Sequence, residues 1–253
     1  MDDVTRIDPP AKAGLNTSGR AATPASRHGL FRRAFRSVVH FLSYKFILSR
    51  PTIRETYAAG FRLSVRPTVF HPKFFISSEK FASFLDTLDL TGKRVCEVGT
   101  GTGILALAAA RAGASNVVAT DINPNASLSA NENAHANGLG DRVTGVCMNL
   151  MAGMAPRPTF DVILSSPPKH AGEPKDLTDR GWHAGPEYRD IKELFDQARD
   201  RLKPDGRIYL MLSSDTNQEL FASLIANAGF SQRKIKEYSL VVESLIIFEL
   251  LPR

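Results

Sequence analysis

The chain has 253 residues, 43% of them hydrophobic and 23% charged, enough to bury one α/β domain of ordinary size plus an extension. That balance excludes a fibrous or wholly disordered chain, and two cysteines exclude a disulfide framework or a thiolate metal cluster. The net charge of +6 is concentrated early: residues 20 to 80 hold 12 Lys and Arg against Glu55 and Glu79, and the remainder is near balance. Such a field attracts anionic partners, such as RNA phosphate, a ribosomal surface or a lipid face. Cys96 and Cys147 both fall in runs expected to be buried strands, where cysteine acts as a small hydrophobe, and a reducing cytoplasm is the natural setting.

Residues 1–28 are rich in Pro, Ala, Ser, Thr and Gly without an apolar period and read as a disordered tail. Met1-Asp2-Asp3 does not resemble a secretory start. Within an extension spanning 29–75, Phe31, Phe35, Val38, Leu42 and Phe46 recur at helical spacing, with Arg32, Arg33 and Arg36 largely on another face. This amphipathic helix, Leu30 to Leu48, either packs on the following domain or on a second copy, or lies on a membrane surface. Phe61-Arg-Leu63-Ser-Val65 alternates as a strand does, before Pro67 and Pro72 interrupt the chain. A helix is expected from Ser77 to Leu88, opening a domain that runs over 76–253.

Arg94-Val95-Cys96 is a short strand ending in Glu97-Val-Gly99-Thr100-Gly101-Thr-Gly103, after which Ile104 to Ala110 reads as a helix. Glycines at alternate positions let a ligand lie against the main chain and permit positive φ in the turn. The helix that follows points its free N–H groups back at that turn. The third glycine comes one residue earlier than in the dinucleotide pattern G-x-G-x-x-G, and Glu97 stands two residues before the first. A carboxylate there repels a pyrophosphate and welcomes an ammonium group, which favours S-adenosylmethionine over a nicotinamide dinucleotide.

Val117 to Asp121 is a second strand ending in an acid, suited to accept hydrogen bonds from both hydroxyls of a ribose. Ile122 is placed for the adenine face, Asn123 as a helix N-cap and Pro124 as the first helical residue, with Gly138 as the stop. A third strand runs from Val143 to Met148, with Asn149 and Leu150 placed to read the adenine amine. A fourth starts at Phe160 and is stopped by Ser166-Pro167-Pro168. The polar loop from there to Pro186 has the length of a functional lid and contains Trp182 and two candidate bases, His170 and His183. Pro186 is expected to open a helix through Leu202, and Lys203-Pro-Asp-Gly206 to form a turn. Ile208 to Leu212 follows as the fifth strand, then a helix over Thr216 to Ala228 and two closing strands around Tyr238 to Val241.

The acid-x-Gly-x-Gly-x-Gly turn, the strand ending in Asp121 and the strand ending in Ser166-Pro167-Pro168 occur in order. On these residues the stretch from about 92 to 253 resembles a class I S-adenosylmethionine-dependent methyltransferase. It is similar to the small-domain branch that includes release-factor glutamine and rRNA guanine methyltransferases. Val95 to Arg142 also resembles the ribosomal-protein lysine methyltransferases. The resemblance implies a Rossmann-like α/β fold, a seven-stranded mostly parallel sheet with helices on both faces and an antiparallel last strand. It implies that Glu97, Gly99, Thr100, Gly101, Gly103, Asp121, Ile122, Asn149 and Leu150 contact the cofactor. Ser166, Pro167 and Pro168 would line the methyl-transfer site, and Phe70 to Ser78 would close over the cofactor, with His71 and Lys73 near the methionine carboxylate. Relatives place an aromatic after the second proline to stack on a planar nitrogen; here Lys169 stands there. The expected activity is methyl transfer to a nitrogen of a protein, RNA or small metabolite, without a metal. The alternatives are an amphiphilic acceptor at a membrane surface and a non-catalytic cofactor- and RNA-binding protein.

Overall fold

A computed structural model describes residues 52–72, 76–240 and 243–253. The expected tail, the helix Leu30–Leu48 and Lys73 lie outside these residues. The alternation at 61–65 does form a strand, β2 (Phe61–Val65), but as half of a hairpin with β1 (Arg54–Ala58). The turn is Ala59-Gly60, both at positive φ (49° and 83°), the two-residue geometry that matches strand twist. The sequence reading missed β1, whose polar run Arg-Glu-Thr-Tyr-Ala carries a weak apolar alternation.

The outer edge of β2 is satisfied by helix α3 (Pro124–Ala136) and the residue that ends it. Asn133 accepts from Ser64 N (2.6 Å) and donates to Ser64 O (3.0 Å), and Asn137 does the same for Arg62 (3.1 and 2.8 Å). Residues four apart on a helix thus match residues two apart on a strand, and the side-chain amides take the place of a third strand.

Seven strands form the main sheet: β3 (Arg94–Val98), β4 (Asn116–Asp121), β5 (Val143–Cys147), β6 (Phe160–Ser165), β7 (Leu202–Ser213), β8 (Phe230–Ser239) and β9 (Ser244–Pro252). Their order is β5-β4-β3-β6-β7-β9-β8, and only β9 runs antiparallel to its neighbours. Alternate residues of β3 face opposite layers. Val95 joins a core with Phe81 and Leu85 of α1 (Ile76–Leu85), Leu107 of α2 (Ile104–Arg111) and Ala130 of α3. Cys96 joins Ile191 and Phe195 of α4 (Arg189–Arg201) and Phe221 and Ile225 of α5 (Gln218–Asn227). Burying a side chain such as Phe195 completely contributes about 1.5–3 kcal/mol. Helix residues 104–110 are all buried, because α2 is enclosed by the sheet on one side and by α1 and α3 on others.

Three expectations are corrected. Cys96 is buried but Cys147 is exposed, because β5 is the edge strand and Cys147 is its last residue. α4 begins at Arg189, not at Pro186: residues 186–188 form one 3-10 turn in which Glu187 and Tyr188 take φ of 52° and 59°, breaking the α-helical path. Lys203 to Gly206 lies within β7, where the pairing slips between Phe160↔Leu202 and Val162↔Arg207. The expected turn is absorbed as a bulge that lets one strand continue.

Candidate functional site

β4, β3 and β6 are adjacent and parallel, so the segments leaving their C-terminal ends share one rim, the usual ligand position in such sheets. The turn after β3 hangs from β4: Gly99 N and Thr100 N both donate to Thr120 O (2.9 and 3.0 Å). Gly99, Gly101 and Gly103 have φ of 81°, 54° and 82°, a conformation that a β-carbon opposes. The three glycines nonetheless serve two purposes. A Cβ on Gly103 would sit 2.9 Å from Ala130 Cα and Cβ, so this glycine permits the close approach of α2 and α3. A Cβ on Gly99 or Gly101 would meet no atom within 4 Å, so these two keep main chain open to the rim.

Glu97 is 1% exposed, and its Oε2 accepts from Thr100 Oγ1 (2.6 Å) and Ala106 N (2.9 Å). The carboxylate therefore ties strand, turn and the first turn of α2 together. Burial pushes its pKa up to about 8, against the lowering effect of those two bonds. Asp121 ends β4; its Oδ2 accepts from Gly101 N (3.0 Å) and its Oδ1 from Asn123 N (2.9 Å). Burial raises its pKa as well. Each carboxylate oxygen has two lone pairs, so Asp121 retains capacity to accept from a diol.

Met148 N donates to Asp121 O (2.9 Å), which brings the start of the Asn149-Leu150 segment beside Asp121 and Ile122. Leu150 takes φ of 50° in the turn after β5, and Cys147 Sγ lies 3.7 Å from Ile122 O. Ser165 Oγ donates to Val98 O (3.1 Å), locking the end of β6 to the end of β3, so that Ser166, Pro167 and Pro168 leave at the glycine turn. Ser166 is exposed and both prolines are half-buried. The glycine turn after β3, Asp121-Ile122 after β4, Asn149-Leu150 after β5 and Ser166-Pro167-Pro168 after β6 thus all follow the C-terminal ends of adjacent parallel strands.

The sequence foresaw Asn123 as the cap of α3 but not the other contacts at this rim. Asn123 caps α3 by accepting from Asn125 N (3.0 Å) and also donates to Thr68 O and Oγ1 (3.2 and 3.0 Å), drawing the 68–71 segment to the end of β4. Phe70 then meets Trp182 with ring centroids 5.4 Å apart, and His71 is buried. Lys169 is held by Glu243 at 3.1 Å, and Glu243 also accepts from Ser213 at the end of β7. Tyr188 donates its hydroxyl to Lys169 O (3.1 Å) and packs edge-on against Phe221. Only Asn123 had a local signal, the following proline; the others are brought together by the chain's long-range path. Among the described residues no three His, Cys, Asp or Glu side chains are grouped to hold a metal ion. None of the described helices is long and apolar enough to cross a membrane.

The donors and acceptors fit S-adenosylmethionine: two glycines open to the rim, a buried carboxylate beside them, and a second at the position for a ribose diol. Comparison with known proteins agrees. The family model of the ribosomal protein L11 methyltransferases (PrmA) matches residues 82–166. The ribosomal protein L11 methyltransferase of Actinobacillus succinogenes is 53% identical over 60 residues, 24% of this chain and 20% of that protein. The chain therefore spans only about a fifth of the length of such relatives. A Methanocaldococcus jannaschii protein assigned as an N5-glutamine methyltransferase is 26% identical over 193 residues, 74% of this chain and 94% of its own. Among solved structures, the Thermus thermophilus 16S rRNA N2 G1207 methyltransferase with S-adenosylmethionine and guanosine has the same fold. It gives a TM-score of 0.58 at 20% identity, over 80% of this chain and 50% of that one. With its strand order, its inserted antiparallel β9 and a glycine turn between the buried Glu97 and the half-buried Asp121, the chain has the fold of the class I S-adenosylmethionine-dependent methyltransferases.

Proposed function

We propose that the protein transfers a methyl group from S-adenosylmethionine to a nitrogen of a protein, an RNA or a small metabolite held at Ser166-Pro167-Pro168. The observation that carries this reading is the pairing of Glu97 and Asp121 across the open glycine turn. In this reading Glu97 receives the ammonium group and Asp121 the ribose hydroxyls. Gly99, Thr100, Gly101 and Gly103 shape the cradle, and Ile122, Asn149 and Leu150 meet the adenine. Bound there, S-adenosylmethionine supplies an electrophilic methyl group whose leaving thioether is neutral. The protein's task is then mainly alignment, which in well-oriented systems lowers the barrier by as much as about 7–11 kcal/mol.

Support for a nitrogen acceptor comes from two relatives whose names specify glutamine N5 and guanosine N2. The 12 basic residues between 20 and 80 support an anionic partner: RNA, a ribosomal surface or, at the inner membrane face, lipid. The cytoplasm supplies all three. The test is titration calorimetry followed by transfer. Adenosylhomocysteine is expected to bind and NAD not to. Tritiated S-adenosylmethionine with the enzyme and a lysate lacking it is expected to label one macromolecular or small-molecule fraction. Heat with NAD alone, or label in no fraction despite cofactor binding, would refute the reading.

A further inference from the structure

Beyond Pro168 the chain folds back beside itself. His170 N donates to Trp182 O (3.1 Å), Ala184 N to His170 O (2.9 Å) and Gly172 N to Gly185 O (3.0 Å). These bonds place His183 alongside His170, four residues past Ser166, with the imidazole centroids 5.9 Å apart. Trp182, next to it, reaches Phe70, and the 68–71 segment is bound to Asn123 beside Asp121. The 182–183 stretch is thus joined through His170 to the segment that leaves β6, and through Phe70 to the segment held at the end of β4.

Asp179 is the fixed point of this loop. It is buried at 3% exposure, its N donates to Asp176 Oδ1 (2.9 Å), and its Oδ2 accepts from Lys175 N (3.0 Å). Its Oδ1 lies 3.1 Å from His183 Nδ1, whose side chain is 26% exposed. A buried carboxylate held by backbone and facing Nδ1 favours the tautomer with the proton on that nitrogen, leaving the lone pair on Nε2.

We propose that His183, oriented by Asp179, is the general base that takes a proton from the methyl acceptor. The acceptor atom therefore carries that proton at neutral pH, as an ammonium nitrogen does. The inference rests on the methyltransferase reading above. In the step, the acceptor's bond to hydrogen breaks and the proton goes to Nε2 of His183. The freed electron pair forms the bond to the methyl carbon, the carbon–sulfur bond breaks, and its pair leaves with a neutral thioether. The charge lost from sulfur appears on the imidazolium, which Asp179 is placed to stabilise. The position of Lys169 accords with this acceptor class. Turned to Glu243, it offers no ring on which a planar amide or base could stack.

Asp179 and His170 face His183, with Asp176 and Lys175 behind Asp179. Arg180 is engaged by Asp190 at 3.5 Å. The test uses the full chain, 13C-methyl S-adenosylmethionine and a cleared bacterial lysate as the source of acceptor. His183→Gln is expected to lower the initial transfer rate roughly 100-fold while adenosylhomocysteine affinity, read by calorimetry, stays unchanged. The wild-type rate should fall about tenfold per pH unit on the acid side, and His183→Gln should lose that limb. Added imidazole should restore rate to His183→Ala, which a purely structural role would not allow. Asp179 is a positioning residue: Asp179→Asn should shift the 15N signals of His183 from the Nδ1–H to the Nε2–H tautomer. The 13C shift of the transferred methyl should be that of an N-methyl group, and an O-methyl shift overturns the assigned acceptor. A His183→Gln variant with full rate, or one that keeps the acid limb, overturns the proposal. So does an Asp179→Asn variant with an unchanged tautomer. A wild-type protein that binds no adenosylhomocysteine overturns the underlying methyltransferase reading, a result calorimetry reports separately.

Discussion

Replacing Glu97 with glutamine isolates the energetic cost of keeping an acid inside this fold. The glutamine carbonyl can still accept from Thr100 Oγ1 and Ala106 N, so the variant changes charge with little change of shape. The folded protein holds a proton on Glu97 up to about pH 8, whereas an unfolded glutamate releases it near 4.5. Between those values the native state binds more protons than the unfolded one, so stability declines as pH rises and levels off above about 8. At about 1.36 kcal/mol per pKa unit, the decline from pH 4.5 to 7 is on the order of 3 kcal/mol. Glu97→Gln lacks this slope, so its stability should gain on the wild type by that amount over the same interval. Urea unfolding at half-unit pH steps measures it. Parallel curves for the two proteins would refute the assignment of a protonated, desolvated Glu97. The same charge should reveal itself in binding. At pH 7 adenosylhomocysteine, with its ammonium group, should expel close to one proton from the wild type and none from Glu97→Gln. Calorimetry in buffers of different ionisation enthalpy reads that difference.

Other substitutions separate structure from ligand binding. Gly103→Ala meets Ala130 at 2.9 Å with φ of 82° and should cost about 2–5 kcal/mol in denaturant unfolding. Gly101→Ala, with open space at its Cβ, should cost only about 1–2 kcal/mol for its positive φ and instead weaken adenosylhomocysteine binding. Asp121→Ala removes the acceptor of Gly101 N and Asn123 N together with the diol site, and calorimetry should record no binding. Asn123→Ala loses the cap of α3 and the tie to Thr68, and a drop of about 1–2 kcal/mol in urea-derived stability is expected.

The cofactor half of the rim was legible because its signals are local. Glycine spacing, an acid at each of two strand ends and a proline after Asn123 all lie within a few residues of the backbone they shape. The acceptor half was not. Lys169 and Glu243 are 74 residues apart, and their meeting depends on β9 entering the sheet beside β7. Asp179 and His183 are only four residues apart, yet their contact requires a loop held by bonds from His170 and Gly172 to residues 182–185. The sequence indicated a strand over Val143 to Met148, but not that it lies at the sheet edge, which exposes Cys147. Pro186 opens only a 3-10 turn, and the left-handed Glu187 and Tyr188 that postpone α4 leave no trace in residue type. Neither is glycine or asparagine.

The insertion of β9 between β7 and β8 bears on how the protein is made. During synthesis β8 emerges from the ribosome before β9, the strand to which it bonds, and β7 keeps a bare flank over the same interval. The nascent chain thus passes through a stage with two open, partly apolar ladders. Chaperone engagement and the risk of intermolecular pairing are greatest in that window. They end when the Ser244–Pro252 segment slides in and closes both ladders at once.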